Sequence, residues 1–225
     1  MTDLAAIIGV AESLGLAYRG GFHTVAEDDV PAFSDGAQAA TLLLFGFAGR
    51  RHWARFDASP ERADGAPDPL DRWSRRTIDA MGDRFGARSL YPADGPPWWP
   101  FQRWAQRAEP VHPSPLGILI HPDYGLWHAY RGALAFSIEL VLPAADVRGS
   151  PCDACVAKPC LSTCPIGAVT AERYEHARCR THVSSGAGAA CLDLGCLARR
   201  ACPVGVVHRY DDAESRFHMA AFVGR

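Results

Sequence analysis

The sequence predicts an α+β chain in two parts: an α/β domain over residues 1–148, then a cysteine-rich module over residues 149–225. Three observations predict it. All eight cysteines fall between positions 152 and 202, and residues 1–150 have none. Those first 150 residues mix helical and strand-like apolar patterns. Hydrophobic residues make up 48% of the chain, enough for a core, while charged residues stand at an ordinary 21%.

The elements of the first part follow in order. Residues 2–17, TDLAAIIGVAESLGLA, form an amphipathic helix with Thr2 as its expected cap. YRGGFHTV (18–25) follows a glycine turn and reads as a strand. ATLLLFGFAG (40–49) is a short apolar run closed by glycine, which marks a buried strand. ASPERADGAPDPLD (58–71), rich in Pro, Asp and Gly, is expected to be a loop. Apolar residues at 70, 73, 78, 81 and 85 keep a helical period over 68–87. RSLYP (88–92) is a short strand, PADGPPWWP (92–100) cannot be regular, and FQRWAQRAE (101–109) is a helix. Residues 116–143 read as two or three strands around the Pro-Asp-Tyr-Gly turn at 122–125.

Composition narrows the function. The net charge is −2, so no global field points to nucleic acid or to a membrane surface. No Lys/Arg-rich face is evident for phosphates, and nucleic acid is not an expected partner. Residues 1–16 lack the basic start and apolar stretch of a signal peptide. The longest apolar run, 39–49, is short of the roughly 20 residues that a bilayer requires. The Arg-Arg pairs at 50, 75 and 199 are internal, so none is a twin-arginine export signal. A cytoplasmic location is expected.

The cysteines carry the chemistry. They run Cys152-x2-Cys155-x4-Cys160-x3-Cys164-Pro, then Cys179, then Cys191-x4-Cys196-x5-Cys202-Pro. A secreted disulfide framework would spread its cysteines across the fold, and a reducing cytoplasm disfavours disulfides. Two zinc sites would also use eight thiolates, but they usually come as paired C-x2-4-C knuckles. Bacterial two-cluster ferredoxins use a compact four-cysteine run ending on Cys-Pro, whose fourth cysteine ligates the other cluster. Two [4Fe–4S] clusters in a ferredoxin-like module are therefore expected. Cys152, Cys155 and Cys160 share one loop and need a distant fourth partner, for which the pseudo-symmetric choice is Cys202. That leaves Cys164, Cys179, Cys191 and Cys196 for the second cluster. His176 and His182 flank Cys179 and are read as surface or outer-shell residues, because the thiols already complete both sets.

The displaced Cys179 in RCRTHVSS (178–185), the late cysteine pair and the final Cys-Pro resemble epoxyqueuosine reductases and the related cobalamin-dependent reductive dehalogenases. GILIHPDYGLWHAYRGALAF (117–136) is similar to the stretch that precedes the clusters in that family. The resemblance covers roughly residues 88–203. It implies a nitroreductase-like α/β domain that binds cobalamin without its lower base, with the clusters passing single electrons to the corrinoid. It also implies an acidic proton donor, for which Asp94 is the candidate; otherwise Asp94 is a turn aspartate beside Gly and Pro. Two features depart from the family. Its Gly-Lys stretch before the apolar strand is replaced by EPVHPSPLG (109–117), and only residues 203–225 follow Cys202. Epoxyqueuosine on tRNA is thus not the expected substrate.

Aromatic residues crowd positions 91–104, and Trp98-Trp99 between prolines suggests a pocket rim or a partner site. Tyr124, Trp127 and His128 are the candidates for cofactor walls, with core packing as the alternative. Arg178, Arg180, Arg199 and Arg200 surround the second cysteine group and could steer an acidic electron donor such as ferredoxin or flavodoxin. The first reading is a cobalamin-linked oxidoreductase with a corrinoid or small-molecule substrate. The alternative is a non-catalytic electron-transfer or corrinoid-carrier protein.

Overall fold

In the computed structural model, which describes residues 3–224, the apolar run at 41–48 becomes an almost wholly buried strand around which the first half of the chain is built. In chain order the elements are α1 (Leu4–Ser13), β1 (Ala17–His23), β2 (Thr41–Ala48), α2 (Trp53–Asp57), α3 (Pro60–Ala63), α4 (Pro69–Phe85), β3 (Arg88–Leu90) and α5 (Phe101–Ala108). β4 (His112–Pro113), β5 (Leu119–Ile120) and β6 (His128–Phe136) follow. The rest is helical: α6 (Pro151–Ala154), α7 (Pro159–Ser162), α8 (His176–Ser184), α9 (Ala189–Leu194), α10 (Leu197–Arg200) and α11 (Asp212–Val223).

The architecture is mixed α/β and falls into two units. One unit joins the residues up to Pro110 with His128–Val147. The other joins Val111–Trp127 with the residues from Arg148 onward. The first unit contains an antiparallel sheet in the order β1-β2-β6-β3. β2 sits between β1 and β6, which explains why its residues are apolar on both faces. α4 buries Leu70, Trp73, Ile78 and Met81, so its helical period was a true core face. Pro69 opens that helix and Gly86, in the left-handed region, closes it.

A bulge between Tyr18 and Gly21 shapes β1. Gly20 takes φ +74°, and a side chain there would overlap the carbonyl of Ala108 at the end of α5. The neighbouring Arg19 is fully buried. Its Nη2 and Nε donate to the two carboxylate oxygens of Glu109, at 2.6 and 2.7 Å, and its Nη1 donates to the carbonyl of Phe47. The Tyr130 hydroxyl donates to the same Glu109 at 2.9 Å. Burial, and then the Glu109 charge, push the Tyr130 hydroxyl well above its ordinary value.

Several expectations are corrected. Thr2 lies outside the described residues; the side chain of Asp3 caps α1 by accepting from Ala5. The loop expected at 58–71 contains α3, because Ser59 accepts from Arg62 N–H and Pro60 supplies the first helical residue. The strands expected over 116–143 end at Phe136. The domain boundary drawn at 148 is crossed, since Val111–Trp127 joins the cysteine unit. The reason is local pairing. β4 and β5 form their own two-stranded hairpin, and Leu116, Ile120 and Leu126 pack with Val169, Ala198 and Cys202.

Removing one partner of the buried Arg19–Glu109 pair leaves the other charge desolvated. Arg19→Met is expected to lower stability by about 3–5 kcal/mol in urea unfolding followed by tryptophan fluorescence. An unchanged midpoint would mean that the pair does not hold the first unit together.

Candidate functional site

The cysteines sit on and between very short helices. Ser150 accepts from Cys152 N–H and Pro151 opens the one-turn α6; Pro159 opens the one-turn α7, which carries Cys160. Proline at the first helical position is pre-set for the helix and has no N–H to leave unpaired. Cys155 ends α6, Cys179 lies in α8, Cys191 lies in α9, and Cys196 precedes α10. All eight are free thiols; Cys191 and Cys202 are buried and the others half-buried.

Their mutual influence sorts them. Burial pushes the Cys152 thiol up, and the nearby Cys202, Cys160 and Cys155 add to the rise. Cys202 is raised by burial and by Cys160 and Cys155. Cys191 is raised by burial, then by Cys179 and Cys164. Cys196 is raised by burial, then by Cys179 and Cys191. These influences tie Cys202 to Cys152, Cys155 and Cys160, and Cys179 to Cys191 and Cys196. Backbone amides face the sulfurs and oppose the rise. They come from Leu161 for Cys160, Leu197 for Cys191, Arg199 and Ala198 for Cys196, and Val204 for Cys202. The Ala168 N–H donates to Cys164 Sγ at 3.3 Å. Among the described residues, no three His, Cys, Asp or Glu side chains converge closely enough to hold a single metal ion.

Cys202 reaches the first group through a close backbone approach. Gly125 and Gly205 both have positive φ, +58° and +68°. A Cβ on Gly205 would lie 2.3 Å from the Tyr124 carbonyl carbon, and one on Gly125 would lie 2.1 Å from the Val204 oxygen. Only glycine fits at both places. An apolar seat continues this contact: Cys152, Cys160, Cys164 and Cys196 pack against the cluster of Leu116, Ile120, Leu126 and Val169.

The other candidates divide between the units. Tyr124 and Trp127 lie in the cysteine unit and His128 in the α/β unit. Tyr124 packs edge-on against His208, with ring centroids 4.9 Å apart, and the buried Trp127 packs edge-on against Tyr210 at 5.3 Å. His128 Nδ1 lies 3.3 Å from Arg19 Nη2; because arginine can only donate, this nitrogen accepts. Asp94 is held by Arg75, with Nη2–Oδ1 at 2.6 Å, and its N–H donates to the Tyr91 carbonyl. Beside it opens a cavity of about 290 Å³ lined by Asp71, Arg75, Tyr91, Tyr130 and Arg131. Trp98 is 63% exposed, as a proline-flanked loop residue should be.

The arginines around the second group are engaged within the protein. Arg199 Nε donates to the Leu126 carbonyl at 3.1 Å and its guanidinium lies over Trp127. Arg200 pairs with Asp212, and Arg178 with Glu175. Arg180 reaches the Val223 carbonyl. Their reading as a steering patch for an acidic donor loses its support. Sequence reasoning missed the 111–127 hairpin as part of this site, although the glycines at 125 and 205 were visible.

No protein-family profile matches the chain, and no curated protein aligns with it significantly. Among solved structures, the B12-trafficking protein CblC of C. elegans, a human MMACHC homologue, is similar over 98% of this chain and 93% of its own. The identity is 15% and the TM-score 0.44. No helix among the described residues is long and apolar enough to cross a membrane.

The Gly125–Gly205 contact can be tested against a neutral glycine. Gly167 also has positive φ but nothing within 4 Å of its missing Cβ. Gly167→Ala should cost only the left-handed strain, about 1–2 kcal/mol. Gly205→Ala adds a backbone overlap and should lower the thermal midpoint clearly further. Equal midpoints would mean that the two backbone segments do not touch.

Proposed function

We propose that this protein is a two-centre iron–sulfur electron-transfer protein that handles a corrinoid. In this reading the chain has a nitroreductase-like α/β unit and a ferredoxin-like unit, in which each group of four thiols holds one [4Fe–4S] cluster. The observation that carries it is the neighbourhood of Cys202 with Cys152, Cys155 and Cys160, which leaves Cys164 to the second group. That exchange of the Cys-Pro cysteine is how two-cluster ferredoxin runs share their ligands. The donor chemistry fits the group. Each neighbourhood offers four sulfurs, and backbone N–H groups point at several of them. Such hydrogen bonds to the sulfurs help to set the potential of a bound cluster. Bound clusters supply one-electron storage; the chain's own part is to hold the thiols, exclude water with the apolar seat and direct N–H groups at sulfur.

The corrinoid part rests on the resemblance of residues 117–136 and 178–185 to epoxyqueuosine reductases. Handling is preferred to reduction because of Asp94. Its carboxylate is already paired with Arg75, Nη2–Oδ1 at 2.6 Å, and so is engaged by the chain itself. The second reading, a cobalamin-linked reductase with Asp94 as acid, is favoured only by the cavity beside Asp94.

Iron, sulfide and cobalt content of anaerobically purified protein from cobalamin-fed cells tests the proposal. About eight irons and eight sulfides per chain are expected, with cobalt bound on top. Zinc in their place, or an iron-free protein, would overturn the cluster reading. Iron without cobalt, and no binding on adding cobalamin, would leave an electron carrier and remove the corrinoid.

Asp94→Asn separates the two readings. A carrier keeps its corrinoid binding and its rate of electron passage in this variant. A drop of about 100-fold or more in turnover with clusters intact, the size expected for a lost general acid, would make the protein an enzyme.

A further inference from the structure

We propose that the cavity between α4, β3 and β6 binds a free α-amino acid, with Arg75 and Arg131 holding its carboxylate and Asp71 and Asp94 holding its ammonium. The site lies wholly in the α/β unit, and nothing in the inference depends on the clusters or on a corrinoid.

The cavity is a gap in the sheet. β3 pairs with β6 at Arg88–Ala135, Ser89–Leu134 and Leu90–Ala133. Continued by two residues, that register would set Pro92 against Arg131. Proline has no N–H to give to the ladder. Asp94 N–H instead donates to the Tyr91 carbonyl at 3.1 Å, and the chain turns away. A space of about 290 Å³ opens where the pairing stops. Residues 91–93 form one side of it, Tyr130 and Arg131 a second, and Asp71 and Arg75 of α4 a third. That volume lies just below the roughly 300–1,000 Å³ of drug-sized sites, so the ligand is a small one.

The charged groups around it come as opposite pairs with donors to spare. Arg131 Nε donates to Ser74 at 3.0 Å and its Nη2 to Asp71; Arg75 Nη2 donates to Asp94 at 2.6 Å. A guanidinium carries five N–H donors, and these contacts use two at Arg131 and one at Arg75. Both aspartates meet their arginine through Oδ1, and each has a second carboxylate oxygen to offer. The arginines are also held in place. Arg75 lies over the Tyr91 ring at 4.0 Å, and the Arg131 side chain is only 17% exposed.

The balance of charge selects the ligand. A simple anion would bring a third negative charge against Asp71 and Asp94. A simple amine would bring a third positive charge against the arginines. A ligand with one charge of each sign avoids both repulsions. A planar carboxylate matches the guanidinium fork, and Tyr91 and Tyr130 supply wall for a small apolar side chain. A free α-amino acid combines these features in a molecule of the right size.

The test is a thermal-shift screen of the full chain with the common L-amino acids, then calorimetric titration of the best one against its deaminated acid and its decarboxylated amine. At least one amino acid should raise the melting midpoint and saturate. Each one-charge analogue should bind about tenfold or more weakly, the loss expected for one charge-assisted contact. Arg75→Gln, on a side chain 48% exposed, should weaken binding of the same amino acid about tenfold. If that variant disturbs the loop at 91–94, Asp71→Asn should give the same loss in a folded protein. No amino acid bound, an analogue bound as tightly as the amino acid, or undiminished binding in either folded variant would overturn the proposal.

Discussion

Cys202 can join the first cysteine run only because the backbone at 204–205 lies directly on the backbone at 124–125. Two glycines with positive φ make that contact, and neither position has room for a Cβ. Much of the second unit follows from it. The 111–127 segment must leave the α/β unit to meet the chain after Cys202. Its apolar residues Leu116, Ile120 and Leu126 then become the seat on which the thiols rest. Arg199 fastens the same segment from the other side through the Leu126 carbonyl and the face of Trp127.

The crossing also holds the two thiol groups close together. Cys160 and Cys164 belong to different groups but are four residues apart, a reach of at most about 14 Å even when extended. Cys196 and Cys202 bind the groups a second time. The short helices add a further economy of design, because each begins with unpaired N–H groups and several of these are spent on sulfur.

The α/β unit is organised around a different problem, a buried charge. The bulge in β1 turns Arg19 inward, and Glu109, the Phe47 carbonyl and Tyr130 surround it. Such a network is a source of order more than of net stability. It places Tyr130 beside the cavity in which Arg75 holds Asp94. Two ion pairs stand at that cavity, Arg75 with Asp94 and Arg131 with Asp71.

By itself the sequence determined that the chain is mixed α/β with its cysteines in one module. It also determined the buried strand at 41–48 and the amphipathic helix at 69–85, because local apolar periodicity is enough to specify those elements. The spacing of the two Cys-Pro runs and the lone Cys179 led only to the expectation of two groups of four thiols. Only the tertiary structure decided that Val111–Trp127 belongs with the cysteines and that Arg199 is a strut rather than a surface charge. Those outcomes depend on contacts between residues far apart in the chain, such as Gly125 with Gly205 or Arg19 with Glu109. A local pattern cannot carry such a contact, because either partner alone looks like an ordinary turn glycine or an ordinary charge. The short α3 escaped for a narrower reason: a capping Ser59 and an opening Pro60 outweighed a composition that otherwise reads as loop.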